Sequence, residues 1–234
     1  MRHEKSATCI DNEKRVAAEA AVAEIAAGMI VGLGTGSTAT FAIHAVAERL
    51  ANGLKIDAVA TSCRTEDVAR AFGIRMIDFA DVARVDLAID GVDEIDASLR
   101  AIKGGGGAML REKIVATSAD RMIAIADESK FVAQLGARPV PIEFLPFARA
   151  FVERHVEGLG GAAVLRQDRL GRSFATDQGN PVLDCDFGPI MDPEALSIAL
   201  SGCPGVLGHG LFMTEVDALY LGTQAGLVRR ERKA

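Results

Sequence analysis

The sequence has few of the residues from which several common kinds of binding site are built. It contains no Trp, one Tyr and only 5% aromatic residues in 234 positions. Base-stacking platforms and carbohydrate-stacking clefts therefore have little to be built from. Positive charge is also not in surplus: Lys and Arg total 26 against 32 Asp and Glu, a formal net charge of −6. Because such a chain is poorly suited to neutralise a phosphate backbone, we expect no nucleic-acid partner.

Long apolar runs and a secretory start are absent as well. The longest apolar run near the N-terminus, Ile25–Leu33, is about half of the ~18 residues that a membrane span needs. Met1–Lys5 carries mixed charge and leads to no apolar segment followed by a small-residue cleavage site. We therefore expect no membrane partner and a cytoplasmic protein.

Cysteine and histidine are too scattered for a disulfide framework or a metal site. Cys9, Cys63, Cys185 and Cys203 show no CxxC spacing, and we expect all four to be reduced. The four histidines form no paired ligand motif such as HExxH. No metal enzyme is indicated.

The first half of the chain alternates short apolar runs with amphipathic segments. The pattern predicts helices over 13–27, 39–50, 66–72 and 108–118, and strands over 29–31, 56–60, 74–77, 85–89 and 122–126. Alternation of this kind is typical of a parallel sheet flanked by helices.

The pattern changes from residue 135 onward, where prolines and Gly or Asp turns punctuate the chain. Helices are predicted over 147–156 and 193–200, and strands over 162–165, 174–175 and 182–183. Residues 210–212 and 218–221 are expected to return to the first sheet, and 229–233 to form a solvated charged end. We thus expect an α/β fold. Residues 1–134 plus 211–234 would form a Rossmann-like, mostly parallel sheet flanked by helices, and residues 135–210 a smaller α+β (ferredoxin-like) lid or oligomerisation domain.

A glycine turn joins the first strand to the following helix. Gly32-Leu33-Gly34-Thr35-Gly36-Ser37-Thr38 places small residues and hydroxyls where free N–H groups and a helix dipole suit a phosphate. The turn departs from the dinucleotide fingerprint GxGxxG and lacks the lysine of a P-loop, so a monophosphate fits it better than a dinucleotide. The alternative is that the glycines only permit tight strand-to-helix packing.

A dense group of carboxylates follows the strand over 85–89. Asp90-Gly91-Val92-Asp93-Glu94 stands where open α/β sheets place their ligand sites, beyond the carboxyl end of a strand. Sugar hydroxyls or magnesium would suit Asp90 and Asp93. An acidic surface turn with helix-capping aspartates is the alternative.

Four consecutive glycines follow Lys103 and precede a helix. Such a run costs conformational entropy, which is easier to explain if the backbone must approach a ligand closely. A helix from Ala108 places Glu112 on its apolar stripe, where desolvation would raise its pKa toward the range of a general base. Glu112 could instead be an exposed residue paired with Lys113 or Arg111. Lys130, after the strand over 122–126, could be an ordinary surface lysine.

Taken in order, these segments resemble the type A ribose-5-phosphate isomerase family. The resemblance rests on GLGTGSTA at 32–39, TS at 61–62, DGVDEID at 90–96, KGGGGAMLREKI at 103–114 and ADESK at 126–130, with DQGNPVLDC at 177–185 and HGLF at 209–212 extending it. It implies interconversion of D-ribose 5-phosphate and D-ribulose 5-phosphate in the non-oxidative pentose phosphate pathway. It also implies that the enzyme needs no metal or organic cofactor and forms a homodimer or homotetramer.

The resemblance also assigns roles to individual residues. Glu112 matches the general base that moves a proton between C2 and C1 through an enediolate, and Asp90 and Asp93 match the acidic pair that holds sugar hydroxyls and helps ring opening. Lys103 matches a group facing the sugar oxygens, where negative charge develops. Lys14 matches a phosphate partner only loosely. The remaining substrate-binding matches are Thr35, Gly36, Ser37, Thr38, Gly91, Val92, Gly104, Gly105, Gly106 and Lys130.

Two other classes share this family's fold. A sugar-phosphate sensor domain would keep the phosphate loop but would not need Glu112, and would normally accompany a DNA-binding module. A CoA transferase would use a glutamate as a covalent nucleophile, so trapping with substrate and a reductant would separate it from an isomerase.

Overall fold

A computed structural model describes residues 6–233 of the chain; Met1–Lys5, on which the prediction about secretion rests, and Ala234 lie outside the described residues. The helices in this range are α1 (Ala7–Val22), α2 (Ser37–Ala51), α3 (Cys63–Ala71), α4 (Met109–Ser118), α5 (Arg149–Gly158) and α6 (Pro193–Ser201). The strands are β1 (Ile30–Leu33), β2 (Asp57–Ala60), β3 (Leu87–Gly91), β4 (Glu94–Ile95), β5 (Ala101–Ile102), β6 (Met122–Asp127), β7 (Val140–Phe144), β8 (Ala162–Leu165), β9 (Val182–Asp186), β10 (Val206–His209), β11 (Leu211–Phe212), β12 (Ala218–Thr223) and β13 (Gly226–Glu231).

The larger sheet has six strands in the order β13-β12-β6-β3-β1-β2. The pairs from β12 to β2 are all parallel, and β13 is antiparallel at one edge. Strand β2 lies next to β1 on one side, and β3, the following strand of this sheet in the chain, lies next to β1 on the other side. The direction in which strands are added therefore reverses at β1. Ligands of open α/β sheets bind beyond the carboxyl ends of the strands at such a reversal, which here means beyond Leu33 and Gly91.

Alternate residues of the central strands enter two cores, one on each face of this sheet. Ile89 and Ile123 lie in a core with the apolar residues of α1 and α2. Their neighbours Ala88 and Ala124 lie in the other core with Val115 of α4. Because successive strand residues point to opposite faces, both faces are buried, which explains the unbroken apolar runs of these strands.

The single tyrosine of the chain lies in the middle of β12. Tyr220 is fully buried in the core shared with α1 and α2. Its hydroxyl donates a hydrogen bond to the Glu24 carboxylate, and the Arg229 guanidinium lies 4.7 Å from the ring centroid. The polar end of the ring is therefore satisfied although the ring is buried.

The smaller sheet has four antiparallel strands in the order β10-β7-β9-β8. The chain order β7-α5-β8-β9-α6-β10 is the ferredoxin-like arrangement, as predicted. Leu183 and Cys185 of β9 pack in one core with Val152 and Val156 of α5. This sheet thus has its own apolar centre.

Several local predictions were wrong. Residues 210–212 do not join the six-stranded sheet, because Leu211 and Phe212 pair with β5 in a separate three-stranded sheet, β11-β5-β4. Segment 74–77 makes only one bridge, from Met76 to Ala58, and 174–175 is not a strand. The charged end over 229–233 is mostly exposed, as predicted, but its first three residues belong to strand β13, which pairs with β12.

The boundaries of the first helix also differ from the predicted ones. The first helix begins at Ala7 and not at Glu13, because the Ser6 side chain accepts a hydrogen bond from the Cys9 N–H and caps the helix. It ends at Val22, before the predicted stop at Gly28. None of the helices formed by residues 6–233 is both long enough and apolar enough to cross a membrane.

Candidate active site

The loop after β1 leads into the uncapped N-terminus of α2. Gly36 has φ of +113°, a backbone conformation that favours glycine, and no side chain caps the helix. Lys14 of α1 places its Nζ 3.1 Å from Ser37 Oγ. Free N–H groups, the positive end of the helix dipole and the Lys14 ammonium together make this turn suited to bind an anion.

Thr35 is held in this loop by a cluster of hydroxyl groups. Its Oγ1 lies 2.8 Å from Thr61 Oγ1, 2.8 Å from Ser62 Oγ and 3.1 Å from Thr65 Oγ1. Thr65 also donates to the Gly34 carbonyl at 3.0 Å. Since these three partners are buried, the cluster fixes the loop after β1 against the start of α3.

Asp90 ends the buried part of β3 and is only 3% exposed. Its Oδ1 accepts hydrogen bonds from the N–H groups of Thr35 at 3.0 Å and Gly91 at 2.7 Å. Its Oδ2 lies 2.9 Å from Lys103 Nζ. Burial raises the pKa of Asp90, and the Lys103 charge and these donors oppose that rise. Asp90 thus joins the two loops through Thr35 and Lys103.

Lys103 is buried between two carboxylates. Its Nζ lies 2.9 Å from Asp90 Oδ2 and 3.6 Å from Glu112 Oε2, and it donates to the Gly91 carbonyl. Burial opposes the charge of Lys103, but the charges of Asp90 and Glu112 outweigh it, so the pKa of Lys103 is raised. The side chain is therefore a fixed cation.

Glu112 lies on the first turns of α4, with its side chain turned inward. It is 4% exposed, and its Oε2 makes no hydrogen bond to the described residues. Burial raises its pKa from 4.5 to about 8, against the opposing effect of Lys103. A buried carboxylate with an unused oxygen and a pKa near neutrality is suited to accept and return a proton.

The glycine loop, residues 103–107, passes over Asp93. Asp93 Oδ2 accepts the Gly105 N–H at 2.8 Å. Gly104 has φ of +93°, and a Cβ there would lie 2.6 Å from Met109 Cβ. The loop follows this path only because position 104 is glycine.

The predicted site residues converge on one cavity of about 110 Å³ at the carboxyl ends of β1 and β3. Lys130 reaches it from the 3-10 helix that follows β6. Asp90 does not line it, because this aspartate lies behind Lys103. Lys14, the loosely matched phosphate partner, does not line it either and contacts Ser37 from α1. The residues lining the cavity are Thr35, Gly36, Ser37, Thr38, Gly91, Val92, Asp93, Lys103, Gly104, Gly105, Gly106, Glu112 and Lys130.

Two larger cavities lie nearby. One of about 500 Å³ shares Thr35, Gly36, Ser37 and Gly106 with the first and continues it toward α3. The other, of about 560 Å³, lies between α3 and α4 and contains none of the predicted residues. Its Arg70 is paired with Glu66. In the smaller cavity, by contrast, Glu112 Oε2 makes no hydrogen bond to the described residues and lies 3.6 Å from the Lys103 ammonium.

Within residues 6–233, no three or more His, Cys, Asp or Glu side chains are grouped for metal binding. The cysteines Cys9, Cys63, Cys185 and Cys203 are free thiols.

Some residues near the site were not found from the sequence. Arg166 contacts the glycine loop although it follows β8, far along the chain. Thr65 belongs to the hydroxyl cluster. A lone arginine or threonine carries no local signal of such a contact, whereas the loose match of Lys14 did point to the phosphate loop.

Comparison with known proteins identifies similar chains. The model of the family described as "Ribose 5-phosphate isomerase A (phosphoriboisomerase A)" matches residues 57–226. The chain is 48% identical to ribose-5-phosphate isomerase A of Sphingopyxis alaskensis over 209 residues, which cover 89% of this chain and 91% of that protein. It is 46% identical to the Desulfatibacillum aliphaticivorans protein of the same name over 230 residues, covering 97% and 99%. A solved D-ribose-5-phosphate isomerase in complex with phospho-erythronic acid superposes with a TM-score of 0.92 at 35% identity, covering 95% of this chain and 99% of that one.

Proposed function

The chain belongs to the ribose 5-phosphate isomerase A family and interconverts D-ribose 5-phosphate and D-ribulose 5-phosphate, and on this premise we propose that Glu112 is its catalytic base. The observation that carries the proposal is the buried Oε2 of Glu112, which has no hydrogen-bond partner among the described residues and lies 3.6 Å from the Lys103 ammonium. In the carboxylate form Glu112 removes the proton from C2 of the aldose to give the enediolate. The hydroxyl proton on O2 then passes to O1, and Glu112 returns its proton to C1, which gives the ketose. One carboxylate on one face of the substrate serves both transfers.

Lys103 and the glycine loop stabilise the enediolate in this proposal. Negative charge develops on the sugar oxygens at C1 and C2 as the proton leaves. A buried ammonium and preorganised N–H groups act on that charge without reorganising at the moment of reaction. Asp90 keeps Lys103 in place through the 2.9 Å ion pair. The sequence-based role of Asp90, holding sugar hydroxyls, stays a prediction.

The phosphate of the substrate occupies the N-terminus of α2. Ser37, Thr38 and the amide groups of this turn hold it, and Lys14 and Lys130 supply positive charge from either side. Asp93 and the backbone of Gly91 and Val92 contact the sugar hydroxyls. The phosphorylated sugar acid held by the solved relative would occupy the same positions here, with its carboxylate toward Lys103, and would compete with substrate.

Glu112→Gln tests the base. The amide keeps the shape of the side chain but cannot accept a proton, so turnover should fall by about 10²–10⁴-fold, as is typical of lost general acid–base catalysis. The KM for ribose 5-phosphate should change far less. In deuterium oxide the wild-type enzyme should introduce solvent label into the sugar, and the variant should introduce almost none.

A matched control is Glu153→Gln, a glutamate that pairs with Arg149 on the surface of α5. It should behave as wild type. Near-normal turnover of a folded Glu112→Gln variant would assign the base to another group and overturn the proposal.

The proposed division into two domains corresponds to the four-stranded and six-stranded sheets. We propose that residues 135–210, which contain the whole four-stranded sheet, form a lid and oligomerisation domain beside a catalytic domain of residues 1–134 plus 211–234. Expression of 135–210 alone tests whether this segment folds independently.

We also propose a homodimer or homotetramer assembled through the outer face of α5 and α6. Phe147, in the 3-10 turn directly before α5, is 102% exposed, Phe151 of α5 is 54% exposed, and Ile198 of α6 is 74% exposed. The two helices are neighbours, because His155 lies 3.2 Å from the Ala199 carbonyl. Apolar surface of this extent favours a partner. Sedimentation velocity of wild type and Phe147→Glu tests it, with a smaller species expected for the variant.

We propose that the protein is located in the cytoplasm. Fractionation of cells with an antibody against the chain tests this location.

A further inference from the structure

We propose that Arg166, in the loop that joins β8 to β9, is a positioning residue that fixes the peptide groups of the glycine loop. The proposal rests on the proposed function, in which that loop faces the sugar oxygens. Arg166 does not line the 110 Å³ cavity, so it acts through the loop and not on the substrate.

One nitrogen of Arg166 holds two successive carbonyl groups. Nη1 donates to the Gly104 carbonyl at 3.1 Å and to the Gly105 carbonyl at 3.2 Å. In a planar trans peptide the C=O and the following N–H point in opposite directions. The N–H groups of Gly105 and Gly106 are therefore turned away from Arg166. Gly105 N–H donates to Asp93, which lines the cavity. The face of the loop turned away from Arg166 is therefore the cavity face, where the Gly105 N–H positions Asp93 and the Gly106 N–H faces the substrate.

The guanidinium is itself held from behind. Its Nε donates to Asp184 Oδ2 at 2.9 Å, and its Nη2 donates to Asp184 Oδ1. The side chain is 13% exposed and lies 5.6 Å from the centroid of the Phe174 ring. A planar fork with five donors can bind a carboxylate on one side and two carbonyls on another, which the lysine ammonium cannot reproduce.

Close packing places this fork against the glycine loop. A Cβ at Gly107, where φ is +82°, would lie 2.4 Å from Phe174 Cζ. The backbone N–H of Arg166 donates to the Val182 carbonyl at 2.8 Å, and the Phe174 N–H donates to the Arg166 carbonyl at 2.9 Å. These hydrogen bonds hold the backbone of Arg166 in place, so its side chain starts from a fixed position.

Arg166 also polarises the peptide groups that it orients. Hydrogen bonds in a chain strengthen one another in a low-dielectric interior. Carbonyls that accept from a cation make the N–H on the other side of the same peptide group a better donor. Arg166 thus strengthens the hydrogen bond from the Gly105 N–H to Asp93 and prepares the Gly106 N–H for the charge that develops on the substrate.

The test compares Arg166→Met with Arg172→Met. Arg172 lies in the same loop and pairs with Asp168, but its side chain is 72% exposed and makes no contact with the glycine loop among the described residues. We expect Arg166→Met to lower kcat by up to about 100-fold, the cost of misplacing reacting groups by roughly 1 Å, with a much smaller change in KM. Arg172→Met should match wild type. Thermal unfolding of both variants verifies that they fold.

Chemical rescue separates positioning from a merely structural role. Added methylguanidinium should restore part of the kcat of Arg166→Ala, and should not change the kcat of Glu112→Gln. Arg166→Lys should stay impaired although it keeps the charge, and Asp184→Asn should be impaired although it keeps the arginine. If Arg166→Met fails to fold, the kcat values of Arg166→Lys and Asp184→Asn test the proposal instead.

Two results would overturn the proposal. One is a wild-type kcat for a folded Arg166→Met, or wild-type kcat values for both the Arg166→Lys variant and the Asp184→Asn variant. The other is an impaired Arg166→Ala that methylguanidinium leaves unchanged. Either result, obtained while Glu112→Gln is inactive, leaves the proposed function standing. An active Glu112→Gln overturns the proposed function itself, whatever the Arg166 variants show.

Discussion

Gly34 leaves open the space that the carboxylate of Asp90 occupies. A Cβ at position 34 would lie 2.0 Å from Asp90 Oδ1 and 2.1 Å from its Cγ, far inside any van der Waals contact. Asp90 in turn is the ion-pair partner of Lys103. A single methyl group at position 34, directly after β1, would therefore displace Asp90 and, through it, the Lys103 ammonium that is proposed to stabilise the enediolate.

Gly34→Ala should lower kcat by about 100-fold, because displacement of Asp90 moves Lys103 away from the enediolate. Steady-state kinetics and thermal unfolding measure the two effects separately. Gly158→Ala is the matched control: a Cβ there meets nothing within 4 Å, and alanine suits the helix end. Wild-type kinetics for Gly34→Ala would show that Asp90 does not position Lys103.

The pH dependence of kcat/KM should show one acidic limb near pH 8. Glu112 must be deprotonated to act as a base, and burial raises its pKa to about 8 in the free enzyme. Activity is therefore lost as pH falls through that value. The substrate phosphate loses its second proton near pH ~6, well below this limb. A profile flat from about pH 6 to 9 would contradict the assignment of Glu112.

Lys103→Met should move the same limb to higher pH. The Lys103 charge lowers the pKa of Glu112 against the effect of burial, so its removal leaves burial and the nearby carboxylates unopposed. Rate against pH for the residual activity measures the shift. A limb displaced to lower pH would show that Lys103 does not stabilise the Glu112 carboxylate.

Stability should also depend on the charge of Glu112. Its pKa rises from 4.5 to about 8 on folding, so the folded protein binds this proton more tightly than the unfolded chain. The stabilisation is complete below pH 4.5 and is lost as pH rises through about 8. Relative to Glu112→Gln, the wild-type free energy of unfolding should therefore fall by a few kcal/mol over this range. Urea unfolding at a series of pH values measures it, and a constant difference would contradict the burial of a titrating carboxylate.

Lys14→Met should weaken binding of the phosphate. A hydrogen bond to a charged group contributes about 1.5–3 kcal/mol, so the dissociation constant for ribose 5-phosphate should rise by about 10- to 100-fold by calorimetry. Lys55→Met, on an exposed loop, is the control. Unphosphorylated ribose should bind wild type poorly, and the Lys14 variant should not weaken it further. Equal affinities for ribose and ribose 5-phosphate would refute the phosphate site.

Most of the candidate site could be predicted because its parts carry local signals. A glycine turn between strand and helix, carboxylates after a strand, and four glycines before a helix each require an unusual backbone or charge pattern. Residues that act through distant packing carry no such pattern. Arg166 follows an ordinary strand, and its contact with the glycine loop exists only because the β8–β9 loop packs over it.

The strands of the fold were likewise predicted where the sequence carries a local signal and missed where it does not. Buried parallel strands such as β6 were predicted from continuous apolar runs. Strand β7 was not, because Pro139 and Pro141 indicate a loop. Pro141 is tolerated since the β10 partner register ends at Ile142, and its carbonyl still accepts from Gly210 N–H at 2.8 Å. Segment 74–77 has the composition of a strand but lies past the edge strand β2, where it makes a single bridge.

The placement of Tyr220 makes the protein its own spectroscopic probe. With no Trp and one Tyr in the chain, near-ultraviolet emission reports on a single site, in the middle of the six-stranded sheet and beside the Glu24 carboxylate. The four-stranded sheet contains no comparable fluorophore. Unfolding followed by tyrosine emission thus records the loss of one core, while far-ultraviolet circular dichroism records all of the secondary structure. Coincident transitions would establish that the two sheets unfold as one cooperative unit, and separate transitions would give each sheet its own stability without a label.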